Sequence, residues 1–293
     1  MKLPIETASH GGSPWLLTLG APEFQAIVGL ARERFGLNLE PGREEFVTAR
    51  LLRHAHNGGF RSFRDYYTHV RSDTTGAALA EMIHALTTHF TFFFRENRHF
   101  ELLRKIMTEE VRNPQSLRVW CAAAATGEEA YSLAMTILDS LPFLAPAAIN
   151  ILATDVSARS LAVAKAGVYP ASAVAALPPH LIQRYWIRDG RRGCYTARPK
   201  LRRTLEFRVA NLVDPTTYGG RYRVIFCRNV MIYFPKAVRQ NVVLGLTRCL
   251  EPGGYLFIGH AESFTGLESS LEYVCPAVYR KSAERSRNAG GVR

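Results

Sequence analysis

The stretch Arg118–Met135, RVWCAAAATGEEAYSLAM, constrains this chain more than any other. It predicts a short apolar strand over Leu117, Val119, Trp120 and Cys121, a turn of small residues through Thr126 and Gly127, and a helix opened by Glu128 and Glu129. Small side chains let a flat ligand approach the backbone, and the first helical turn offers unpaired N–H groups. A phosphate-binding loop keeps positive potential at that helix start, whereas two glutamates make it negative. The ligand end favoured here is cationic. A plain helix whose first turn prefers acidic side chains would look the same, so this stretch alone leaves both readings open.

The rest of the chain supplies the context. At 293 residues, 47% hydrophobic and 21% charged, it can bury a sizeable core. No apolar run approaches the roughly 18 residues of a membrane span, and MKLPIETASHGG lacks the apolar core of a signal peptide. A cytoplasmic protein without membrane insertion is expected. Its five cysteines form no CxxC pair and read as reduced, small hydrophobes.

Helical periodicity dominates residues 1–90. Phe24, Ile27, Val28, Ala31 and Phe35 mark one helix; a second starts near Pro41 and stops at Gly58-Gly59; Ser62 caps a third; Leu79, Met82, Ile83 and Leu86 mark a fourth. On the second, Arg43, Arg50 and Arg53 lie opposite an apolar line through Val47, Leu51 and Ala55. Next comes the aromatic run TTHFTFFFRE (87–96), which suggests a segment folded over a ligand, and a helix from Glu96 to about Val111. From Leu117 strands and helices alternate: strand 117–121, helix 128–139, strand 149–153 ending at Thr154-Asp155, helix 181–187, strands 205–210 and 222–227, a helix opened by Pro235, a turn at Pro252-Gly253-Gly254 into strand 255–259, and a strand pair around 271–280. The expected domains are a helical domain over 1–90, an α/β domain over 91–283, and a disordered tail over 284–293.

The net charge of +12 is concentrated near the C-terminus: Arg184–Arg208 alone holds nine basic residues against Asp189 and Glu206. Such a patch attracts an acidic partner. Within it, Asp189–Gly193 reads as a turn between short strands, with Arg191 and Arg192 at its tip.

Several chemistries lack their residues. The sequence has no GxGxxG, GxxxxGK[ST], HExxH or GxSxG motif and no Cys/His cluster, which leaves nicotinamide, ATP, serine-hydrolase and metal chemistry without support. Adenosyl chemistry fits better. S-adenosylmethionine offers a ribose to Asp155 past the second strand, an adenine to Asn211-Leu212, and a cationic amino-acid end to Glu128 or Glu129.

Taken in order, TTHFTFFFRE, VWCAAAATGEEAYSLAM, ILATD, the Asn211-Leu212 pair after a strand, VIFCRNVMIYF and LEPGGYLFIGHAES resemble the CheR family of chemoreceptor glutamate methyltransferases. The resemblance covers about residues 22–280. It implies an α/β class I (Rossmann-like) S-adenosylmethionine-dependent methyltransferase sheet with a small all-α N-terminal domain and a β-subdomain inserted near 188–204. The implied reaction moves a methyl group from S-adenosyl-L-methionine to receptor glutamates, leaving S-adenosyl-L-homocysteine. By similarity the cofactor contacts are His89, standing at the family's usual Asn, with Thr91, Arg95, Glu128, Glu129, Asp155, Asn211, Leu212, Arg228 and Asn229. Arg95 and Tyr233 are the candidates for holding the substrate carboxylate. Arg191 and Arg192, or alternatively Arg43, Arg50 and Arg53, are the candidates for docking the receptor's cytoplasmic domain. The expected protein is a monomer that binds no nucleic acid. The alternatives are a nucleic-acid methyltransferase, for which the Asn/Asp-Pro-Pro-aromatic segment of amino-directed enzymes is missing, and an inactive cofactor-binding signalling module.

Overall fold

The computed structural model describes residues 19–39, 42–87, 90–111 and 114–283. His89, Pro41 and the 284–293 tail, each the subject of an expectation above, lie outside these residues. Two units are separately compact: the described residues up to 30 with those from 39 to 87, and residues 31–38 with those from 90 onward.

The smaller unit holds most of helix α1 (Ala21–Phe35), then α2 (Glu44–Asn57), α3 (Phe63–Ser72) and α4 (Ala77–Leu86). The apolar line on α2 is fully buried, and Phe63, Tyr66 and Val70 of α3 and Met82, Ile83 and Leu86 of α4 join it. Ser62 caps α3 by accepting a hydrogen bond from the Asp65 amide at 3.0 Å. Arg43, Arg50 and Arg53 stay on the exposed face, with the Arg43 and Arg50 guanidinium groups over the Phe46 ring at 5.7 and 5.1 Å.

The larger unit runs α5 (Arg98–Glu109), β1 (Leu117–Ala122), α6 (Glu128–Ser140), β2 (Ile149–Asp155), α7 (Ala158–Ala166), β3 (Val168–Pro170), α8 (Ala171–Val174), α9 (Pro179–Tyr185), β4 (Trp186–Asp189), β5 (Cys194–Ala197), α10 (Pro199–Arg202), β6 (Leu205–Val209), β7 (Tyr222–Cys227), α11 (Lys236–Cys249), β8 (Leu250–Ile258), β9 (Leu271–Cys275) and β10 (Val278–Lys281). Seven strands form one sheet in the order β6-β2-β1-β7-β8-β10-β9. The first five are parallel, and β10 and β9 run antiparallel at one edge. The chain winds from β1 out to β6, then returns to β7 on the other side of β1. That reversal opens a crevice at the carboxyl ends of β1 and β7, the place where such sheets bind ligands. Rings fill the core beneath it: Phe226 and Phe257 are fully buried and stack at 4.4 Å, each contributing about 1.5–3 kcal/mol of burial free energy.

A second sheet, β3-β5-β4, is inserted between β2 and β6 in the chain and is antiparallel. It begins at Val168, ahead of the 188–204 stretch in which the sequence signals it. Trp186 and Ile187, expected at the end of a helix, instead open β4, because a ring and a β-branched residue pair with Ala197 and Thr196 of β5. Pro252-Gly253-Gly254 is also no free turn: it lies inside β8, opposite a register shift between Tyr222 and Val224 of β7. A proline without an N–H is tolerated at such an irregularity.

Candidate functional site

The loop after β1 is set by Asp155. Its buried carboxylate accepts hydrogen bonds from the Ala125 amide and the Ser157 amide, at 2.8 and 2.9 Å, and so ties the end of β1 to the start of α7. Ala123 and Ala125 sit at φ 71° and 47°, a conformation alanine holds only where its surroundings dictate it. Gly127 takes φ 98°, and a Cβ there would lie 2.6 Å from the Ala164 methyl carbon. Only glycine lets α6 start this close to α7.

The two glutamates that open α6 separate in role. Glu129 is buried and turns inward, 2.8 Å from Nη1 of Arg228, with the Cys121 thiol 3.4 Å from its other oxygen. Glu128 is half-buried and accepts the Thr126 hydroxyl at 2.7 Å. Burial raises the pKa of both carboxyls; Arg228 pulls back against it at Glu129, and the Thr126 hydroxyl does so at Glu128.

Arg228, just past β7, has no exposed side-chain surface. Its guanidinium donates to Glu129, to the Arg95 carbonyl at 2.6 Å, and lies 3.0 Å from Glu96. Sequence reasoning missed Glu96 as a site residue, yet it is a hub: its oxygens also accept from the Asn229 side chain and the His260 amide, both at 3.3 Å. Burial alone would raise the Glu96 carboxyl, but the charge and hydrogen bond of Arg228 outweigh it and leave the group below its ordinary range. Arg95 donates from Nη1 to the Phe90 carbonyl at 2.8 Å, closing the aromatic segment on itself. Phe93 anchors that segment against Tyr169 and Trp186, at 5.1 and 5.3 Å.

Glu262 is the second residue missed. Its buried carboxylate accepts four backbone amides: Gly259 at 2.5 Å, Asn229 at 3.0 Å, Val230 at 2.9 Å and Met231 at 2.7 Å. It thereby holds the loop after β7, including Asn229 at φ 57°, against the loop after β8. The GHAES sequence carried the signal, since a carboxylate three residues beyond a strand-ending glycine can accept nearby amides.

The structure therefore brings Arg95, Glu129, Arg228 and Asn229 into one network at the β1/β7 crevice. Asp155 lies at the end of neighbouring β2. At the end of β6, Asn211 donates to the Arg34 carbonyl at 2.8 Å and Leu212 is buried. Thr91 and Tyr233 are half-buried, and the Tyr233 carbonyl accepts the Asn38 amide at 2.8 Å. Arg191 and Arg192 stand exposed on the β4–β5 turn, where Asp189 accepts both their amides at 3.1 and 3.3 Å. Elsewhere the basic stretch is partly neutralised, Arg184 by Asp139 at 2.8 Å and Arg208 by Glu206 at 2.6 Å.

Comparison with known proteins accords with this arrangement. Residues 22–87 match the family described as "CheR methyltransferase, all-alpha domain", and residues 89–279 match "CheR methyltransferase, SAM binding domain". The chemotaxis protein methyltransferase of Salmonella typhimurium is 34% identical over 92% of this chain and 93% of its own length. That of Escherichia coli is 35% identical over the same shares. Chemotaxis protein methyltransferase 2 of Pseudomonas aeruginosa is 34% identical over 88% of this chain and 92% of its own. With its parallel sheet, its acidic helix start at the switch point and these relatives along nearly its whole length, the chain belongs to the CheR methyltransferase family.

Proposed function

We propose that this protein transfers the methyl group of S-adenosylmethionine to glutamate side chains in the cytoplasmic domain of a chemoreceptor, forming glutamyl methyl esters. The observation that carries the reading is the acidic helix start in the β1/β7 crevice, where the half-buried Glu128 faces a loop of small residues. That donor set suits a cationic amino-acid end and repels a phosphate. When bound, S-adenosylmethionine supplies an electrophilic methyl group. Glu128 would hold its ammonium, with Glu129 set behind it by Arg228; Asp155 would meet the ribose; Asn211 and Leu212 would flank the adenine. His89, Thr91, Arg95 and Asn229 complete the proposed contacts.

The protein's own task is positioning. A glutamate with an ordinary pKa of about 4.3 is already a carboxylate at neutral pH, so no general base is needed. Orientation of that oxygen can supply several kcal/mol of barrier reduction, up to about 7–11 in ideal cases. Arg95 and Tyr233 are proposed to hold it. Transfer of a tritiated methyl group into a receptor-containing membrane fraction, with the label released by mild base, is the expected result. Label in RNA, or cofactor binding without any transfer, would overturn the reading.

Arg95→Lys is expected to keep cofactor affinity within a few-fold while single-turnover methyl transfer falls steeply, because lysine keeps the charge but loses the planar fork that orients a carboxylate. Unchanged single-turnover rates would make Arg95 purely structural.

The proposed enzyme acts as a cytoplasmic monomer that docks its receptor through Arg191 and Arg192, whose turn presents two guanidinium groups outward. Replacing both with alanine is expected to raise the apparent KM for receptor and flatten its salt dependence, with kcat and cofactor affinity near wild type. If KM and salt slope stay unchanged, docking falls to Arg43, Arg50 and Arg53.

A further inference from the structure

We propose that Glu96, His99 and His260 form a binding site for a divalent transition-metal cation of the zinc class. No spacing motif announces it, because Glu96 lies just ahead of α5, His99 in the first turn of α5 and His260 beyond β8. The fold nonetheless gathers one ligand atom from each within 4.8 Å of one another. Nδ1 of His99 and Nε2 of His260 lie 3.5 and 3.8 Å from the same carboxylate oxygen, Oε2 of Glu96. Tetrahedral bonds of about 2.1 Å place donor atoms about 3.4 Å apart. Two of the three separations are already near that value, and the His260 side chain, 48% exposed, has room to swing and close the third.

A second observation points to a ligand. His99 is only 3% exposed, yet neither of its ring nitrogens makes a well-formed hydrogen bond: the Pro276 backbone is its one hydrogen-bonding neighbour besides Glu96, whose Oε2 lies 3.5 Å from Nδ1. Buried imidazoles are ordinarily satisfied, and one that is not calls for an explanation. The ring packs edge-on to Phe257 at 5.5 Å and His260 at 4.8 Å, with the Glu96 carboxylate beside Nδ1. Burial, reinforced by the Arg228 charge, pushes its pKa down to about 4.

The local charge permits a cation. The half-buried Glu96, whose Oε2 lies 3.0 Å from Nη2 of Arg228, and the buried Glu129 share that guanidinium, so Arg228 would keep a counter-ion in Glu129 while Glu96 coordinates. Two imidazoles and one carboxylate form a nitrogen-rich set that favours Zn²⁺, Co²⁺ or Ni²⁺ over Mg²⁺ and Ca²⁺. Because Glu96 also bonds the Asn229 side chain, occupation would draw on the loop after β7 and slow methyl transfer. That last consequence rests on the proposed activity; the binding does not.

The test is a titration of the untagged, chelator-stripped full chain with Co²⁺, read by its visible ligand-field bands and by equilibrium dialysis. One equivalent is expected to bind, to be displaced by Zn²⁺, and to weaken at least about ten-fold in His260→Ala. His260→Ala removes an exposed side chain, so the variant should fold, and circular dichroism checks it. Absence of bound Co²⁺, or an undiminished affinity in His260→Ala, would overturn the site, the latter placing the ion elsewhere. A protein that binds Co²⁺ as described but transfers no methyl group would overturn the proposed function and leave the metal site standing.

Discussion

Arg228→Met is expected to lower the unfolding free energy by about 3–5 kcal/mol, the usual cost of removing one partner from a buried ion pair. Methionine fills much of the volume, so the loss is electrostatic: Glu129 and Glu96 are left facing each other without their guanidinium, and the Arg95 carbonyl loses its donor. Arg228→Lys should recover only part of the loss, since one ammonium cannot span three acceptors in the geometry of a planar fork. Adding Glu129→Gln to Arg228→Met should restore part of the stability, because it removes one of the stranded charges. Urea unfolding midpoints decide the matter. A midpoint for Arg228→Met within error of wild type would mean that the network contributes nothing to folding.

Asp155→Ala is the second large effect. In its proposed role as ribose acceptor the carboxylate would contribute about 1.5–3 kcal/mol, so affinity for S-adenosylhomocysteine should drop ten-fold or more. The structure adds a cost that the sequence does not reveal: the Ala125 and Ser157 amides lose their acceptor. Each stranded amide that stays buried costs about 1–3 kcal/mol. A lower unfolding midpoint should therefore accompany weaker binding. Asp155→Asn, which keeps one carbonyl acceptor, should fall between the two in both measurements. Calorimetry showing an unchanged dissociation constant in Asp155→Ala would remove the residue from the cofactor site and leave it as a loop anchor.

Much of the sheet was legible because strands such as INILA and YRVIFC are short apolar runs bounded by helices with clear caps and periodicity. Legibility failed where tertiary pairing overrides local pattern, as at Trp186-Ile187, or where a strand carries turn residues through a bulge, as at Pro252-Gly253. The site was legible as residue types and not as roles. Glu128 and Glu129 are adjacent in one helical turn, and no periodicity says which of them turns to Arg228. Glu96, His99, Glu262 and His260 take their meaning from partners far away in the chain or from backbone amides, which a sequence pattern does not display.

The four amides gathered by Glu262 come from two loops, and they share one carboxylate. Movement of Glu262 away from either loop breaks the bonds to both, so the exchange of these amides with deuterium is expected to be coupled. Gly259, Asn229, Val230 and Met231 are therefore expected to open together and to show similar protection, although about thirty residues separate the first from the others. The loops after β7 and β8 are thus expected to behave as one kinetic unit, in which a ligand that stabilises either slows exchange in both.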